Sequence, residues 1–150
     1  MQLTATQAHA TSTRSLIEPR SRLAAQLNLS VQELFNTLHL NARTAVEHGG
    51  VRFRLTPADI VRGIDQQRVT GNFIVLINSA RAVAPDAEQQ LAAAEHAVSG
   101  LAQLLLGAAA DHTTHVDHLQ LGTQFLPPFN EHLAQVSRAA QQLEVGSFGW

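Results

Sequence analysis

Three of the chain's eight histidines fall every third residue, at His112, His115 and His118, with Asp111 and Asp117 interleaved. On a helix, steps of three drift by about 60° each, so His115 shares a face with either neighbour. Neutral imidazoles at that spacing offer two ligands to Zn or Ni, and His132 or an acid on the last helix would be the third. The spacing is neither the Glu-x-x-His repeat of di-iron bundles nor the His-Glu-x-x-His of zinc proteases. The competing reading is a polar, solvated helix start capped by Asp111, and the sequence favours that one.

Other chemistry is sparse. Without cysteine there is no thiolate or disulfide, and all ten basic side chains are Arg, which removes Schiff-base chemistry and a P-loop lysine. No Gly-x-Ser-x-Gly, Gly-rich phosphate loop or dinucleotide fingerprint occurs. The carboxylates are too dispersed to nominate an acid–base pair. No catalytic or cofactor-binding residue is expected, and a non-enzymatic function is.

The elements that would position any such groups are helical. The longest stretch without a strong breaker is 85–111. In it Ala87, Leu91, Ala94, Val98, Leu101, Leu105 and Ala108 follow at steps of four and three, the spacing of one helix face. From Leu104 to Ala110 no residue is polar, which predicts a second half buried all round. Pro85 suits a first turn, and Asp86 and Glu88 suit the positive end of the helix dipole. Residues 129–143 repeat the pattern with Phe129, Leu133, Val136, Ala140 and Leu143. Ser30 with Glu33 three residues on reads as a capping box that opens a helix over 31–48, ended by Gly49-Gly50. Its inner face would be Val31, Leu34, Phe35, Leu38, Ala42 and Ala45. Thr56-Pro57 starts another helix, 57–67, with Ile60, Val61 and Ile64 inward. Thr70-Gly71-Asn72 reads as a turn. The run 73–77 leans helical, continuing to 83; the alternative is a minor two-stranded pairing with the alternating segment 51–55.

Residues 20–37, RSRLAAQLNLSVQELFNT, resemble the helix-turn-helix unit of bacterial repressors. Leu23, Ala24 and Leu27 would be the inner positions of the first helix. Asn28 stands where that family has Gly, Leu29 would be the buried turn residue, and Leu34 the core position of the second helix. The resemblance implies a recognition helix from Ser30 with Gln32, Glu33 and Asn36 at base edges. Arg20, Arg22 and Arg43 would then meet phosphates. It covers under an eighth of the chain, and the reading helix carries Glu33 and no Arg before Arg43.

Charge is unevenly placed. Residues 1–81 carry nine Arg against five acids, a balance of +4, and residues 82–150 carry one Arg against seven acids, a balance of −6; together these give the net −2. Such halves meet an anionic partner or attract one another within or between subunits. The best membrane candidate, 97–110, is fourteen residues long against the roughly 20 a span requires. The stretch 1–14 reads as a disordered leader, and 15–150 as a single domain. The expected location is cytoplasmic, with export through a non-cleaved N-terminal signal as the alternative. These readings converge on an all-α, single-domain bundle of four or more helices. Its expected function is interaction or assembly with a protein partner or with itself. DNA binding through the helix-turn-helix and metal binding through the histidines are the alternatives.

Overall fold

The computed structural model describes the backbone of residues 5–48, 56–111 and 125–147, and the side chains of 17–44, 56–111 and 125–144. Every element among the described residues is helical. They are α1 (Ala5–His48), α2 (Pro57–Ile60), α3 (Gln66–Val83), a 3-10 turn (Pro85–Ala87) leading into α4 (Glu88–Ala110), and α5 (Leu126–Ser147). The segment 51–55 and the histidines at 112, 115 and 118 lie outside the described residues. Residues 73–77 are inside α3, so the two-stranded alternative fails at that half.

The first correction concerns α1. Its backbone is helical from Ala5 and passes through Pro19 and Asn28-Leu29-Ser30 unbroken. Ala24, Leu27, Leu34 and Leu38 are buried, and Val31 packs against them. Their spacing of three, four, three and four is a single helical stripe that crosses the expected turn. A Ser cap contributes about 1 kcal/mol, whereas each buried Leu contributes about 1.5–3 kcal/mol. Keeping the stripe on one face wins, and the capping box at Ser30 does not form.

The second correction lies at α2 and α3. Thr56 caps α2 as expected: its hydroxyl accepts from the Asp59 N–H at 3.2 Å, and the Asp59 carboxylate accepts from the Thr56 N–H at 3.0 Å. The helix then stops at Ile60 rather than running to 67. Gly63, at φ 78°, turns the chain in a region open to glycine. Asp65 caps α3, which runs through the expected turn at 70–72 because Phe73, Ile77 and Ala80 must all face inward.

Contacts at the two ends fix the topology. At one end Arg20 of α1 reaches Asp86, just before α4, and the carbonyls of Gln142 and Leu143 late in α5. At the other end the Asn41 amide donates to the carbonyls of Ile60 and Arg62, both at 2.8 Å. There, too, the Ala58 N–H donates to the carbonyl of Asp111, just past α4, at 3.1 Å. Helices α1 and α4 therefore run one way and α3 and α5 the other. Helix α1 packs against α3 and α5, and so does α4, which makes an up-down-up-down four-helix bundle. The short α2 closes one end between α1 and α4.

All seven residues expected on the inner face of α4 are buried, as are all five expected on α5. The second half of α4 is not buried all round, however. Leu106 is 64% exposed, and Gly107 and Ala110 also face outward. Counted from Pro85, this helix and its leading turn are 26 residues, long and apolar enough by length and composition to cross a membrane. In the bundle its apolar stripe faces the core instead. Near its middle Gly100 admits the His132 ring so closely that a Cβ there would lie 2.5 Å from the imidazole. The lack of a side chain at Gly100 is what lets α5 approach.

The opposite charges of the two halves meet inside the chain. The Arg20 guanidinium, 8% exposed, holds Asp86 bidentately at 2.5 and 3.0 Å. Arg81 on α3 bridges to Glu88, at 3.1 Å, and to Glu95 on α4. The charge imbalance seen along the sequence is thus partly spanned by ties between helices.

Candidate interaction surface

All six residues nominated for DNA contact sit on the single helix α1. Arg22 pairs weakly with Glu18 at 3.4 Å, Gln32 bonds Asn36 at 2.9 Å, and Arg43 is exposed. Arg20 is buried beneath Asp86 and the α5 carbonyls, out of reach of a phosphate. Leu29, the would-be buried turn residue, is 59% exposed. With no turn at 28–30, the helix-turn-helix geometry that the resemblance implies is absent from α1. The metal reading rests on His112, His115 and His118, which lie outside the described residues; His132 stands over Gly100.

What the fold does assemble is a groove between α1 and α3 with a volume of about 660 Å³. Ser30, Glu33 and Thr37 line it from α1, and Asp65, Arg68 and Asn72 from the start of α3. Its floor is apolar: Leu34 and Phe73 are buried, and Ile64 and Val69 are half-buried. The two walls are pinned where the Asn72 amide donates to the Ser30 hydroxyl at 3.2 Å. Asp65 is held in place because its carboxylate caps α3, accepting from the Arg68 N–H at 3.2 Å. Among the described residues, no ion pair involves the Glu33 carboxylate or the Arg68 guanidinium, although both line this groove.

Exposed apolar residues lie on the same two helices. Leu29 and Leu40 lie four residues before and seven after Glu33, so the three share one stripe of α1. Val75 lies seven residues after Arg68, on one stripe of α3. Leu29, Leu40 and Val75 are 59%, 60% and 63% exposed. Helices α1 and α3 therefore carry three exposed large apolar side chains and wall a groove with an apolar floor and rim charges of both signs. The chain matches no protein-family model, no curated protein and no solved structure.

Sequence reasoning missed this surface and the Arg20 tie. A signal for the tie was present: Arg20 sits one helical step before Ala24 on the apolar stripe of α1. A charged residue at a core position of an amphipathic helix points to a buried ion pair. The groove had no local signal, because its walls come from two different helices, with Glu33 and Arg68 thirty-five residues apart in the chain.

Proposed function

We propose that this chain is a non-enzymatic interaction and assembly module whose α1/α3 face is covered by another protein surface in its working state. The observation that carries the reading is that Leu29, Leu40 and Val75 are exposed on the same helix stripes as Glu33 and Arg68, which line the groove. Single exposed apolar residues are ordinary on any protein, but several on the two helices that wall an apolar cleft favour an interaction surface there.

Light scattering after size exclusion, at several loading concentrations and with and without nuclease and chelator, tests this. The expected mass is a multiple of the 16.2 kDa chain, unchanged by nuclease or chelator. It should fall toward a single chain in the Leu29→Ser/Leu40→Ser/Val75→Ser variant while the melting temperature is retained. Surface changes of this kind shift folding stability by only about 0.5 kcal/mol each. A triple variant that assembles as well as the parent would remove the α1/α3 face from the account.

A further inference from the structure

Building on the assembly reading, we propose that the surface covering the α1/α3 face is the same face of a second copy, related by a two-fold axis running along the groove parallel to the helices. The argument starts from the unpaired rim charges. Glu33 stands on the α1 wall and Arg68 on the α3 wall, and no ion pair among the described residues involves either. The Asn72–Ser30 hydrogen bond gives a common reference level for the two helices. From it Glu33 is three residues onward along α1, about 4.5 Å, and Arg68 is four residues back along α3, about 6 Å. Because α1 and α3 are antiparallel, both displacements point toward the same end of the bundle. The two charges stand at nearly one level on opposite walls.

A two-fold axis parallel to the helices preserves level and exchanges walls. It carries α1 of one copy over α3 of the other, so each Glu33 faces Arg68 of the second copy, twice over. The same operation sets Leu29 against Val75 of the second copy. Those residues lie about 1.5 Å and about 4.5 Å from the reference level, both toward the opposite end. An isologous interface requires this kind of self-complementarity, in which a residue's contact is repeated with the roles exchanged. A face whose rim carried one sign of charge would repel its own copy; this one presents a carboxylate and a guanidinium at matched heights. The apolar residues beside them supply the area that must leave water.

Charge reversal tests the register. Dissociation constants are measured by sedimentation velocity over a concentration series for the parent, Glu33→Arg, Arg68→Glu and the double variant. Each single reversal puts like charges in contact twice and should raise Kd by at least about tenfold. The double variant rebuilds both pairs with signs exchanged and should return to within about threefold of the parent. Both residues are exposed, so circular dichroism and melting temperature should match across the set. Single reversals without effect, or a double variant no tighter than the singles, would overturn the two-fold arrangement. If the parent assembles and the triple Ser variant does not, but charge reversal changes nothing, the arrangement fails while the assembly reading stands. A parent that stays a single chain at every concentration overturns the two-fold arrangement.

Discussion

Replacing Leu101 by Ala should lower folding stability by about 2–5 kcal/mol, the range for deleting a fully buried Leu from a packed core. Leu101 has 0% exposure and lies midway along α4, between Val98 and Leu105 on the stripe that faces the core. The loss combines the transfer energy of the removed methyl groups with the cavity left behind. For a chain of this size it corresponds to a fall in melting temperature of about 4–20 °C. The companion variant is Leu106→Ala, five residues away on the same helix but 64% exposed. Its change should stay within about 0.5 kcal/mol. The contrast between the two is the test, read by urea or thermal unfolding. Equal shifts would mean that α4 is turned differently about its axis.

The second large effect is expected at the Arg20 tie, and it should be asymmetric. Asp86→Ala leaves an Arg20 side chain that is 8% exposed without its counter-charge, but Asp86 itself is half exposed, so the cost lies below the range of about 3–5 kcal/mol for a fully buried pair. The carbonyls of Leu143 and Gln142 still accept from Arg20, and the loss should be about 1–2 kcal/mol. Arg20→Met removes the buried charge and keeps the packing, while Asp86, half exposed, returns to water. That variant should lose less than Asp86→Ala, and Arg20→Met/Asp86→Ala should recover most of the single-site loss. Additive losses across this cycle would show that the two residues do not act as a pair.

The same pair has a pH signature. The Arg20 hydrogen bond holds the Asp86 carboxyl below its ordinary range, against the opposing effect of burial. A carboxylate with a lowered folded-state pKa stabilises the fold fully above its unfolded-state value, and that stability is lost as pH falls through the folded one. Unfolding midpoints measured from pH 6 down to pH 2 should therefore decline on the acid side less steeply for Asp86→Ala than for the parent.

How much of this was legible in the sequence depended on whether the signal was local. The inner faces of α4 and α5 were readable because their apolar residues recur without interruption and the core accepts all of them. The cap at Thr56 was readable because a capping box is a four-residue device. Helix α1 was misread because Asn28 and Ser30 have real but small turn and cap preferences, and these were weighed above a stripe running from Ala24 to Leu38. The step from Leu27 to Val31 carries that stripe across the supposed break. The same error recurred at Thr70-Gly71-Asn72, where the step from Val69 to Phe73 is the continuous signal. Phe35, placed on the inner face by its neighbours, instead stacks on His39 with ring centroids 6.3 Å apart and is 43% exposed. The groove and the Arg20 tie depend on which helices become neighbours, and no periodicity within one helix encodes that.

The continuity of α1 through residues 28–30 is the central claim, because it removes the DNA-reading geometry and builds one wall of the α1/α3 groove. The chain has no cysteine, so spin labels can be placed at two chosen sites alone. Ser21 and Thr44 are both exposed on α1 and twenty-three residues apart. A dipolar electron resonance measurement on Ser21→Cys/Thr44→Cys should give a single narrow distance distribution centred near about 35 Å, the length of an unbroken helix at 1.5 Å per residue. A centre near about 25 Å, as expected for two helices meeting at roughly a right angle around residue 29, would contradict the account.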